Sequence, residues 1–319
     1  MFTKQIYKTV LKSKIKTIDN RLLQFIQSPS IPQTLHSILT EATQHGRRFR
    51  PLLLIVTNTG VGGNWHDAID LACAIELLHK ASLIHDDLID GDKFRRGQPT
   101  FWQTYGDKQA IIVGDVLIGL AFQIVSQWCH ANNTLHIYDA MTNTLTETAL
   151  GELLDLQFES SANVDVKSIE NMTRHKSGSL IAASMKIGAL SGNAPPSLVE
   201  TLTNLGWQIG VIFQMMNDMN NITGRDVYSK GSVGRDLVQN KKNLVTVTLE
   251  QAGISNQELP NLSKNQLNEV LKPVVTEIDN RISQASEYIV KLPDNTMKKL
   301  FRKLLQEAKE EWFWVNINE

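Results

Sequence analysis

Two aspartates four residues apart, Asp86 and Asp90, close the run Glu76-Leu-Leu-His-Lys-Ala-Ser-Leu-Ile-His-Asp-Asp-Leu-Ile-Asp90. On a helix that spacing points both carboxylates the same way, one turn above the other. Like charges so placed repel, and the surrounding run is largely apolar, so a cation is needed to balance them. Hard carboxylate oxygens favour Mg²⁺, which keeps several waters and commonly bridges carboxylates to substrate phosphates. By itself the pattern also suits a solvated helix end. His79 lies about two turns before Asp86 along the same face.

Two clusters of arginine flank this run. Upstream, His45-Gly-Arg-Arg-Phe-Arg-Pro51 packs Arg47, Arg48 and Arg50 beside a glycine. Downstream, Asp92-Lys-Phe-Arg-Arg-Gly-Gln-Pro99 carries Arg95 and Arg96 on a turn-rich segment. Guanidinium forks match diphosphate oxygens, and such clusters are costly unless an anion or carboxylate neutralises them. Either cluster alone could be solvated surface charge. Their order around an acidic helix suggests a site for anions held partly through metal.

The elements that must position these groups read as helices. Long helix-compatible segments run over 5–27, 34–58, 65–90, 107–130, 135–159, 166–190, 196–222, 262–290 and 294–315, broken by Gly, Pro, Ser and Asn clusters. Period-two alternation is scarce. The expected fold is therefore all-α: one domain over 1–319, a large antiparallel bundle with the site between facing helices. The polar stretch 223–242 reads as a long loop. A formal net charge of −1 argues against a nucleic-acid binder. Cys73 and Cys129 fit buried thiols in a reducing, cytoplasmic setting. The most apolar stretch, 110–125, contains Asp115 and reads as a buried core helix too short to span a bilayer.

Together these residues resemble the trans-prenyl diphosphate synthase family. Its motifs read Gly-Gly-Lys-Arg-x-Arg-Pro, His-x-x-Ser-Leu-x-His-Asp-Asp-x-x-Asp and Arg-Arg-Gly-x-Pro, and all three have counterparts here in order. Gly114-Asp115, Gly151-Glu152, Lys176-Ser177, Phe213-Gln214 and Gly234-x-Asp236-Leu237 with Lys241 extend the likeness over most of the chain. The resemblance implies an isoprenoid-synthase fold and Mg²⁺-dependent condensation of isopentenyl diphosphate with an allylic diphosphate. It implies two Mg²⁺ ions at Asp86 and Asp90, with Arg95, Lys176 and Lys241 around the allylic diphosphate. Arg47, Arg50, His79 and Arg96 would hold isopentenyl diphosphate, with Gln214 and Lys230 also contacting substrate. A homodimer is implied as well.

Small residues at Ala81 and Ser82, one turn before Asp86, imply a product of twenty carbons or more, because enzymes of this family that stop at fifteen typically carry aromatic residues there. The second acidic motif departs from the family. It reads Asn217-Asp218-Met219-Asn220-Asn221 where the family has Asp-Asp-x-x-Asp. An amide oxygen ligates Mg²⁺ without bringing charge, so a third ion at Asn217 and Asp218 should bind weakly. The reversed Lys230-Gly231, and Asn240, Asn243 and Val245 near Lys241, depart further. Two alternatives follow. One is a weakly active or regulatory subunit with a partner chain. The other is a class I terpene synthase, whose second motif begins Asn-Asp; Asn221 and Arg225 do not fit its later positions.

Overall fold

The structure, a computed structural model, describes residues 12–161, 164–223, 241–255, 258–259 and 262–317. Among the described residues the regular structure is helical except for one pair of two-residue strands, β1 (Phe94–Arg95) and β2 (Gln98–Pro99), paired antiparallel with Arg95 opposite Gln98. The helices are α1 (Lys12–Ile26), α2 (Gln33–Gln44), α3 (Phe49–Gly60), α4 (Ile69–Ile89), α5 (Phe101–Tyr105), α6 (Asp107–Ala131) and α7 (His136–Glu159). They continue with α8 (Val166–Thr173), a π-helical turn (Arg174–Gly178), α9 (Ser179–Ser191) and α10 (Pro196–Thr223). The last four are α11 (Leu244–Gln251), α12 (Lys264–Val270), α13 (Lys272–Val290) and α14 (Thr296–Ile317).

Side-chain caps define several starts. Asp165 accepts from the Ser168 amide at 2.9 Å ahead of α8, and Asn243 and Ser263 form capping boxes with Thr246 and Gln266. α4 packs along α6, and α9 lies between α3 and α10. The core follows that layout. Ile75, Leu77, Leu78, Val113, Leu117 and Ala121 fill one side, while Met185, Leu205, Ile212, Met215 and Phe301 fill the other.

Three expectations about elements need correction. The segment 34–58 is two helices, because Gly46 (φ +151°) and Arg48 (φ +53°) take conformations that end α2 and turn the chain into α3. The segment 166–190 changes winding at Arg174–Gly178, and 262–290 is broken at Leu271. α11 is an additional helix, signalled by the Asn243 cap. Residues 224–240 of the expected loop lie outside the described residues. α6 is also longer than the stretch 110–125. At 25 residues it is long and apolar enough to cross a membrane, yet it lies along α4 with Val113, Leu117, Ala121 and Ile124 buried. It is a core helix on that face only, since Ile111 and Ile112 are half exposed.

Candidate active site

The C-terminal turns of α4 supply the acidic groups. Asp86 and Asp90 line a cavity of about 310 Å³ between α4, α7, the π turn and α10. Asp87, one residue on, turns inward and is 4% exposed. It accepts from Arg95 Nε at 2.7 Å, while Arg95 Nη2 donates to Asp86 at 2.9 Å. The tight turn between β1 and β2, with Arg96 at φ +54° and Gly97 at φ +75°, brings Arg95 back over α4. Burial disfavours the Arg95 charge, but Asp87 and Asp86 outweigh it and raise its pKa.

Lys176 reaches the same carboxylates from the opposite wall. Its ammonium lies 3.1 Å from Asp86, 3.0 Å from Glu152 and 2.6 Å from Asp155. Burial opposes its charge, yet these three carboxylates hold it protonated with a raised pKa. The wider π turn sets its direction, and Gly151 of α7 lets that turn approach. A Cβ on Gly151 would stand 2.1 Å from the Lys176 amide nitrogen. Glu152 has its own pKa raised by burial, with Lys176 acting the other way. Lys241 arrives from beyond α10 and donates to Asp90 at 2.8 Å.

The other end of the cavity is cationic. Arg47, Arg50, His79 and Arg96 line it. Arg50 Nη1 donates to His79 Nε2 at 2.9 Å. Because a guanidinium cannot accept, the imidazole proton belongs on Nδ1, a buried atom with no partner among the described residues. Burial, then the charges of Arg50 and Lys80, keeps His79 well below its ordinary pKa and neutral. Burial also lowers Arg50 to about 10, with Arg96 adding to the effect and Glu76 opposing it.

On α10, Gln214, Asn217, Asp218 and Asn221 face the carboxylates of α4. Ser177 Oγ donates to Gln214 Oε1 at 2.8 Å, and Gln214 Nε2 donates to Asp218 Oδ1 at 2.7 Å. Of the residues singled out in the sequence, Ser82 lines the cavity, but Ala81 is fully buried among core side chains and is not part of its wall. Lys230, Gly231, Gly234, Asp236, Leu237 and Asn240 lie outside the described residues. The structure adds Asp87, Asp155 and Glu76 as partners of the cations. Asp155 had one signal only, its three-residue spacing from Glu152 on a helix.

The donor set fits a hard divalent cation. One oxygen each from Asp86, Asp90 and Glu152 lie within 4.8 Å of one another, a spacing a single ion could bridge.

A family model described as Polyprenyl synthetase matches residues 32–278. The chain belongs to that family. Polyprenyl synthetases are Mg²⁺-dependent and use isopentenyl and allylic diphosphates, and the acidic and basic ends of this cavity suit those groups. A geranylgeranyl diphosphate synthase from Methanosarcina mazei is 35% identical over 210 residues, covering 66% of this chain and 65% of that protein. A (2E,6E)-farnesyl diphosphate synthase from Mycobacterium tuberculosis is 35% identical over 215 residues, covering 67% of this chain and 60% of that protein. The match thus spans less than two thirds of either relative's length. In structure, a geranylgeranyl pyrophosphate synthetase from Geoglobus acetivorans superposes with a TM-score of 0.82 at 23% identity, covering 94% of this chain and 99% of that one. The shared all-α fold follows from that likeness.

Proposed function

We propose that this chain, acting as one unit over 1–319, is a trans-prenyltransferase that condenses isopentenyl diphosphate with an allylic diphosphate to a product of twenty carbons or more. One observation carries the reading. A single cavity gathers carboxylates at one end and guanidinium and imidazole groups at the other, from segments far apart in sequence. One diphosphate would need only one such cluster; two clusters suit two diphosphates.

Asp86 and Asp90 would hold two Mg²⁺ ions on the allylic diphosphate, with Glu152 close enough to share one of them. Asn217 and Asp218 would hold a third weakly. Bound there, Mg²⁺ supplies positive charge to the diphosphate oxygens as the allylic C–O bond breaks. Arg95, Lys176 and Lys241 then exchange their carboxylate partners for phosphate oxygens and stabilise the departing group. Arg47, Arg50, His79 and Arg96 orient isopentenyl diphosphate, with the His79 Nδ1–H as a neutral donor. Gln214 and Lys230 complete the substrate contacts. The alkene attacks the allylic cation, and the released diphosphate takes the proton. Leu83, Met172, Leu180 and Phe213 in the same wall keep water from the cation. Exposed Ile111 and Ile112 on α6 and Leu150 and Leu153 on α7 offer apolar surface for a homodimer. The free, buried Cys73 and Cys129 suit the cytoplasm.

Incorporation of labelled isopentenyl diphosphate with geranyl, farnesyl or geranylgeranyl diphosphate, across a Mg²⁺ titration, tests this. Elongated products are expected; no incorporation at any Mg²⁺ level would overturn it. Asn217 and Asn221 favour a second reading, a regulatory subunit of a heteromeric synthase. Activity appearing only after Asn217→Asp/Asn221→Asp would select that one. Diphosphate release from an allylic substrate alone, with no incorporation, would indicate a cyclase instead.

A further inference from the structure

Arg48 lies between Arg47 and Arg50, both of which line the cavity, yet its own side chain is 3% exposed. A guanidinium has five N–H donors, and here every one is used. Nε donates to Asp19 Oδ1 at 2.7 Å, and Nη1 donates to Glu76 Oε1 at 2.7 Å and to the His45 carbonyl at 3.4 Å. Nη2 donates to the carbonyls of Thr43 at 2.7 Å and Gln44 at 3.4 Å. Nothing is left to give a phosphate.

These bonds join three helices through the loop between α2 and α3. The carbonyls of Thr43, Gln44 and His45 stand at the C-terminus of α2, where carbonyls lack helical partners and the helix dipole favours a cation. Asp19 belongs to α1 and Glu76 to α4. Glu76 is 2% exposed and lies three residues before His79 on the same helix. The Arg48–Glu76 pair and the Arg50–His79 bond are therefore two adjacent rungs between the start of α3 and α4. The clamp also explains the backbone. Arg48 takes φ +53°, uncommon for a side chain of its size, and such a conformation persists only where its surroundings over-determine it. At Gly46, with φ +151°, an added Cβ would stand 2.9 Å from Arg48 Nη1 and 3.1 Å from Glu76 Oε1. Only glycine allows the loop to close over this pair.

We propose that Arg48 is a positioning residue for isopentenyl diphosphate: its five-donor clamp fixes the loop so that Arg47 and Arg50 present their guanidinium groups to one diphosphate at a set spacing. The inference rests on reading Arg47, Arg50 and His79 as that subsite.

Arg48→Lys keeps the charge but loses the fork, because an ammonium offers three donors from a single point. Its KM for isopentenyl diphosphate, and the dissociation constant measured by calorimetry, should rise about tenfold or more, as misplacement of binding groups by an ångström does. The turnover number and the KM for the allylic diphosphate should stay within about twofold. Asp19→Asn keeps an acceptor for Arg48 Nε but removes its charge at the half-exposed edge, which weakens that bond and should shift the same constants by about threefold, and it keeps the test available if Arg48→Lys fails to fold. Arg50→Gln serves as the reference. If it leaves isopentenyl diphosphate binding unchanged, the subsite reading fails and the inference with it. If Arg50→Gln weakens that binding while Arg48→Lys and Asp19→Asn lower only the melting temperature, Arg48 is merely structural and the proposal is overturned.

Discussion

Gly151→Ala tests how closely the position of Lys176 depends on one helix contact. The added methyl would lie 2.1 Å from the Lys176 nitrogen, 2.5 Å from its Cα and 2.6 Å from the His175 carbonyl carbon. Ordinary contact begins at 3.4 Å, so α7 and the π turn must separate by roughly 1.3 Å. All three atoms are backbone, so no side chain can swing aside. Overpacking of this kind costs about 1–3 kcal/mol. The gain of about 1 kcal/mol from replacing glycine inside a helix offsets part of it. Stability should therefore fall modestly, by a few degrees in Tm. Activity should fall much further, because the displaced turn carries the ammonium that lies 2.6–3.1 Å from Asp155, Glu152 and Asp86. A shift of about 1 Å at such a group costs up to about 10²-fold in rate. Initial rates at saturating substrate, beside calorimetric melting, separate the two effects. Wild-type turnover with an unchanged Tm would mean that the Gly151 contact does not set the position of Lys176.

Asn217→Asp/Asn221→Asp should lower the Mg²⁺ concentration for half-maximal velocity by about tenfold, since ligand charge count tunes affinity for hard cations; an unchanged Mg²⁺ curve would exclude α10 from metal binding. Ser82→Phe, which projects into the cavity one turn before Asp86, should shorten the product, and chromatography of dephosphorylated chains would show an unaltered ladder if Ser82 does not bound the tail. Lys80 carries a pH signature. Burial, then Arg48 and the Arg96 and Arg95 charges, lowers its pKa from 10.5 to about 8, with Glu76 opposing. Below pH 8 the group is protonated in both states and its burial penalty is fully present. Between about pH 8 and 10.5 the unfolded chain binds more proton, so stability contributed by this group rises with pH. Denaturant melts across that window should show the rise in the wild type and its loss in Lys80→Met; parallel curves would refute it.

Much of the site was legible in the residues. The four-residue spacing of Asp86 and Asp90 placed both on one face of a helix, and the structure puts both in the cavity wall. Arg47, Arg50, His79, Arg95, Arg96, Lys176 and Lys241 line the same cavity. Ala81 was singled out by the resemblance rather than by spacing. It precedes Ser82 by one residue and so points about 100° away around the helix, into packed core. The break at 45–48 was hidden for a different reason. Residues 43–48 are all polar or glycine, so they set no apolar phase to interrupt, and the carbonyls, Asp19 and Glu76 gathered around Arg48 hold that backbone conformation.

The class of fold, the acidic helix and the identity of the charged groups could be read from the residues, because helical period, breakers and charge are local properties of the chain. Which charges meet depends on how the helices pack. Lys241 finds Asp90 across 151 positions of sequence, Lys176 gathers three carboxylates from two other helices, and Arg48 is withdrawn from the cavity wall that Arg47 and Arg50 line. Those pairings depend on how α3, α4, α7 and α10 pack, and side-chain packing between distant helices leaves no periodic trace in the sequence.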